Sequence, residues 1–111
     1  MSRPIVIVGY GLSKFAEGLE SGRFIVTTEL NPPKGVDLGP LLDKAASLKS
    51  VIDAFNITDS HASRMSMAPL AAAHRLVGLG IEPILQVACR DRNRIALQGD
   101  LLAAASLGIS N

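Results

Sequence analysis

The chain has 111 residues, 48% hydrophobic and 19% charged, a balance that suits one soluble globular domain with a modest core. A formal charge of +1, with basic residues scattered apart from Arg90, Arg92 and Arg94, gives no electrostatic grip on nucleic acid or an anionic membrane. No apolar run nears the ~18 residues of a membrane span, no signal-peptide core follows Arg3, and Cys89 as the single cysteine excludes an internal disulfide and a cysteine-rich metal site; a cytoplasmic protein is expected.

Ile5 to Val8 read as a short strand entering the turn Gly9-Tyr10-Gly11. A dinucleotide-binding fingerprint would need a third glycine where Lys14 stands, so residues 1–11 read as a leader or appended segment, with a nucleotide-binding domain kept as an alternative. Ser13 caps a helix to about Leu19, with Phe15, Ala16 and Leu19 on one face and Gly22 ending it. In a closed barrel such a helix would lie across the bottom.

Phe24 to Leu30 is apolar and β-branched, reads as a buried strand, and carries Glu29 at its end. Pro32 and Pro33 lack the N–H a ladder requires, so pairing stops near Leu30 and the carboxylate is delivered to a rim. Asp37 then reads as a helix cap, with Pro40 in the first turn and Leu38, Leu41, Leu42, Ala45 and Leu48 as the apolar stripe. Ala54 to Thr58 is the second strand, followed by the polar run Asp59 to Arg64, in which His61 can reach a ligand and Met65 and Met67 pack the loop. Pro69 opens a helix whose Leu70, Ala73, Leu76 and Val77 face inward, with His74 on its surface, until Gly78 and Gly80 break it. Pro83 to Ala88 is the third strand; after Cys89 to Arg92, Asn93 caps a helix expected to turn Ile95, Leu97, Leu101, Leu102 and Ala105 toward the core before Gly108.

The three strands begin near residues 24, 54 and 83, the spacing of successive βα units of about 30 residues. Right-handed crossovers make such strands parallel and adjacent, so their polar loops emerge on one face. The expected rim carries Glu29, Asn56, Thr58, Asp59, Gln86, Cys89 and Asp91. Three parallel strands leave two bare edges, whereas a barrel closes with eight over about 250 residues, and Gly108-Ile109-Ser110-Asn111 reads as the turn into a fourth strand. The fold class expected is therefore α/β, the N-terminal three βα units of a TIM (β/α)8 barrel, with residues 12–111 as a partial barrel domain of a longer chain.

The runs Gly22 to Gly35, Asn56 to Asp59 and Gln86 to Arg94 resemble, in order and spacing, the N-terminal part of 5,10-methylenetetrahydrofolate reductases, over about residues 12 to 111. The resemblance implies an eight-stranded barrel holding FAD at its C-terminal rim, passing hydride from NAD(P)H to methylenetetrahydrofolate. It makes Glu29 the general acid and a substrate contact, with Asn56 and Asp59 also at the substrate. It places Thr58, Gln86, Cys89 and Asp91 at the cofactor, Gln86 where many members have histidine, and Arg90 or Arg92 within reach of a phosphate. It puts a flavin-contacting Gly-Asp segment and most of the folate and nicotinamide pocket beyond Asn111, so that this portion alone is expected to be inactive. The partners implied are the two substrates and the remaining barrel strands or another copy of the chain. The competing reading is a non-enzymatic half-barrel that works by pairing its edges.

Overall fold

Short β-branched or aromatic segments alternating with 3.6-periodic ones fold as βα units because each strand needs a helix to cover one face. The computed structural model describes residues 13–111, and the readings made on residues 1–11, including Gly9 and Gly11, lie outside the described residues. The elements are α1 (Lys14–Glu20), β1 (Thr27–Leu30), α2 (Gly39–Leu48), β2 (Ala54–Ile57), α3 (Pro69–Gly78), β3 (Pro83–Leu85) and α4 (Arg94–Ser106), with single 3₁₀ turns at His61–Ser63 and Cys89–Asp91. The sheet is parallel throughout in the order β1-β2-β3. This is an α/β protein with three strands running the same way.

Helices α2, α3 and α4 lie side by side, and one core joins them to the sheet. From the strands come Leu30, Phe55 and Ile57; from the helices come Leu41, Ala45, Ala72, Ala73, Leu76 and Ala104, all at most 7% exposed. Two helices end alike. At Gly80 and Gly108 the backbone turns left-handed (φ +67° and +78°), which glycine adopts without a Cβ penalty. The amides of Ile81 and Ile109 then reach back to Leu76 and Ala104 at 3.0 Å, and both isoleucines drop into the core.

Ser13 caps α1 and Asn93 caps α4 through side-chain oxygens, as their positions foretell, and α1 sits against the N-terminal end of the sheet, where the Phe15 amide donates to the Glu82 carboxylate. Four expectations need correction. Asp37 is not the cap of α2: Leu38 holds that place, and Asp37 accepts from the Gly39 amide at 2.8 Å as a local turn. The first strand starts at Thr27, not Phe24, and is not buried along its length; Phe24 is 86% exposed, because β1 is an edge strand and its approach bonds to the neighbouring segment only at Val26, whose carbonyl accepts from the Asp53 amide. Helix α4 turns Ile95, Leu101 and Leu102 outward, all more than half exposed, and packs through Ala104 instead, where a small side chain lets it approach α3. Met65 is 70% exposed; only Met67 packs on the core.

Candidate active site at the strand tips

Register decides which side chains share a row. Glu29 lies beside Asn56, and Asn56 beside Ile84, while Leu30, Ile57 and Leu85 form the next row. Because side chains alternate along a strand, Leu30 and Ile57 enter the helix-covered core and Thr27, Glu29 and Asn56 occupy the opposite face. The Asn56 amide donating to the Thr27 hydroxyl at 3.4 Å agrees with that parity. The ladder continues one residue past the strands: Thr58 donates its amide to Leu30 at 3.1 Å and Gln86 to Ile57 at 3.2 Å, so Asn31, Thr58 and Gln86 make a second row at the C-terminal tips.

These residues differ in how far they are committed. Thr58 is 2% exposed, and its hydroxyl donates to the Asn31 side-chain oxygen at 2.6 Å. Gln86 and Asn56 are half-buried. Glu29 is exposed, takes part in none of the ion pairs among the described residues, and borders a cleft of about 290 Å³ between the end of β1 and α2, shared with Asn31, Pro33, Asp37, Pro40 and Lys44. A free carboxyl group at a strand tip can exchange a proton with whatever settles there.

The second and third loops are tied to one another. The Asp59 side chain is only 6% exposed; its Oδ2 accepts from the Ala88 amide at 2.7 Å and from Arg92 Nη1. Arg92 also donates to the Ala88 carbonyl at 3.1 Å and, through Nε, to Asp100 at 2.9 Å. Its guanidinium is held above its usual pKa chiefly by the hydrogen bond to Asp59, against the opposing effect of burial and with Asp100 adding to the rise. Cys89, Arg90 and Asp91 are exposed on the turn between these anchors, and Arg90 pairs with Asp91 at 2.6 Å, which lowers the Asp91 carboxyl. Ser60, Ala62 and Ser63, directly after Asp59, have φ of 48°, 54° and 58°. Left-handed backbone at non-glycine residues costs about 1 kcal/mol each, so this loop holds an unfavourable shape that its surroundings impose. A backbone bond from Met67 to Pro33 at 2.7 Å joins it to the first loop.

The rim expected from sequence is thus brought together at one end of the sheet: Glu29, Asn56, Thr58 and Gln86 in two rows, Cys89 and Asp91 on the adjoining turn, Asp59 beneath it. Two features escaped sequence reading. Asn31 partners Thr58, and Arg92 reaches back 33 positions to Asp59; the alternation of arginine with aspartate in Cys89-Arg90-Asp91-Arg92 was the only visible signal. His61 and His74 are exposed, and among the described residues no cluster of three His, Cys, Asp or Glu could hold a metal ion. Among those residues, too, no helix is long and apolar enough to cross a membrane.

Parallel βα units whose polar residues gather at the C-terminal tips define a class of α/β proteins that keep their ligand sites at that end. The family model for methylenetetrahydrofolate reductase matches residues 14–111, and the chain belongs to that family. No curated relative and no solved structure matches it.

Proposed function

We propose that the protein reduces 5,10-methylenetetrahydrofolate to 5-methyltetrahydrofolate, with FAD at the strand tips and NAD(P)H as the source of electrons. The observation that carries this reading is a carboxyl group, Glu29, with no charged partner among the described residues, at the tip of the first of three parallel strands, in one row with the Asn56 amide. The donor set suits a flavin. Asn31 and Gln86 offer uncharged donors and acceptors, which match the carbonyl and N–H edge of a neutral ring system, with the buried Thr58 hydroxyl holding Asn31, and Ile84 in the neighbouring row offers an apolar contact. When bound, the flavin supplies a two-electron carrier between nicotinamide and folate.

The chain's own residues do the rest. Thr58 and Gln86 would orient the cofactor's polar edge, with Cys89 and Asp91 on its flank. Glu29 delivers a proton to a nitrogen of the folate's five-membered imidazolidine ring, because that ring opens to an electrophilic iminium only once the nitrogen is protonated. Asn56, beside Glu29, would hold the substrate with it. The reading further adds strands beyond β3, whose Leu85 amide donates to the Asn111 carbonyl at 2.8 Å just as the Phe55 amide of β2 donates to Glu82 ahead of β3. Those strands would complete a barrel in the cytoplasm, and residues 1–111 alone would be inactive. A half-barrel that only pairs its edges finds support in the exposed Phe24 ahead of the edge strand β1; light scattering separates it, since that reading requires a dimer.

Purification of the intact protein is the test. The expected result is a yellow protein whose flavin absorbance is bleached by NADH or NADPH and restored by methylenetetrahydrofolate. A colourless protein that takes up no added FAD contradicts the proposal.

A further inference from the structure

A single carboxylate oxygen of Asp59 binds both ends of the turn that carries Cys89, Arg90 and Asp91. Ala88, which precedes the turn, donates its amide to Oδ2 at 2.7 Å, and Arg92, which follows it, donates its guanidinium to the same oxygen. The last ladder bond of this segment is that of the Gln86 amide, and the one backbone bond within the turn, Arg92 to Cys89, is a long 3.4 Å. Beyond Gln86 the turn's position relative to the second strand therefore depends on the Asp59 side chain.

Both partners are enclosed, with side chains 6% and 19% exposed, and the bond is charge-assisted, so it is stronger and more directional than an exposed ion pair. Asp100, midway along α4, takes the Nε of Arg92 and fixes the plane of the guanidinium. The Arg92 fork thus ties three elements: the loop after β2, the loop after β3, and α4. A lysine, with one nitrogen centre, could not reach Asp59, the Ala88 carbonyl and Asp100 together.

We propose that Asp59 is a positioning residue, which with Arg92 sets the turn Cys89–Asp91 at the height where it meets the ligand of the strand tips. This rests on the flavin reading for the identity of that ligand, and on the coordinates alone for the clasp. The resemblance set Asp59 at the substrate; on this proposal its carboxylate, enclosed and taken up by Ala88 and Arg92, acts instead through the loop it holds.

The experiment uses the intact protein, wild type and Asp59→Ser, Asp59→Asn and Arg92→Lys, with two readouts. Hydrogen exchange is expected to accelerate about 100-fold at Ala88 to Arg92 in Asp59→Ser, while amides of β2 and α3 keep their protection. FAD titration is expected to show at least a tenfold loss of affinity in Asp59→Ser and Arg92→Lys, partial recovery in Asp59→Asn, which keeps an acceptor for Ala88, and no further loss when the Asp59→Ser and Arg92→Lys changes are combined, as for two residues acting as one unit. Unchanged exchange at Ala88, or loss of protection spread evenly over the chain, overturns the clasp. Wild-type FAD affinity in a variant whose turn has loosened overturns its positioning role. If the wild-type protein binds no FAD while Ala88 exchange responds as stated, the flavin reading fails and the clasp stands.

Discussion

At the N-terminal ends of the strands Ser13, Asp53, Glu82 and Asn111 are occupied with partners nearby, whereas at the C-terminal ends Glu29 has none among the described residues. Below, Glu82 accepts from the Phe15 amide and from Asn111 Nδ2, Ser13 donates to Asn111, and Asp53 takes both Arg23 and the Val26 amide. Above, Asp59, Arg92 and Asp100 satisfy each other while Glu29 has no charged partner among the described residues. Polar groups that are all paired add to stability, and the proposed function gives the remaining carboxyl group, Glu29, the chemical role. The comparison predicts that substitutions below change stability and spare activity, and that Glu29 does the reverse.

The largest effect expected is at Glu29. Glu29→Gln in the intact protein should lower folate reduction about 10²- to 10⁴-fold, the usual worth of a general acid, yet leave NADH-to-quinone turnover unchanged, because only the folate half-reaction needs the proton. Its unfolding midpoint should match that of wild type within about 0.5 kcal/mol, as for an exposed unpaired residue. Equal loss of both activities would remove Glu29 from this role. Next comes the shared core: Leu76→Ala, at a site with 0% exposure, should cost about 2–5 kcal/mol in urea unfolding.

Below the sheet the effects are smaller. Glu82→Ala strips an acceptor from the first turn of α1 and should cost about 0.5–2 kcal/mol with flavin affinity retained. Asp53 is held below the ordinary carboxylate range chiefly by the Val26 amide and then by Arg23. A depressed carboxyl stabilises the fold fully above the unfolded value of about 4 and loses that contribution as pH falls through the lower folded value. The stability gap between wild type and Asp53→Asn should therefore be flat above about pH 4 and shrink below it, as denaturant midpoints would show. A gap that widened on acidification would reverse the assignment. Smallest of all, Ala62→Gly should relieve its left-handed backbone and stabilise by up to about 1 kcal/mol.

What was legible in the sequence was local. Ser13 and Asn93 as caps, Pro40 and Pro69 in first turns, and Pro32-Pro33 as the end of a strand each depend on a few adjacent residues, and the helical stripe of α2 sits where its periodicity puts it. The repeat length and the rule of right-handed crossovers carried the rest of the topology. What was not legible depends on neighbours far along the chain. Periodicity makes α4 a helix without saying that Ala104, and not Ile95 or Leu102, meets α3. The apolar, β-branched run marks Phe24 as a buried strand residue without saying that β1 is an edge. The Asp59–Arg92 clasp joins two loops that only the register brings together.

The central claim is that the tips of the three strands form one ligand floor and that their opposite ends do not. Hydrogen exchange of the intact protein with and without FAD tests it most directly. The account predicts added protection at residues 29–34, 58–62 and 86–92, with none at 13–23, 49–53 or 108–111. Protection confined to the second set would contradict it.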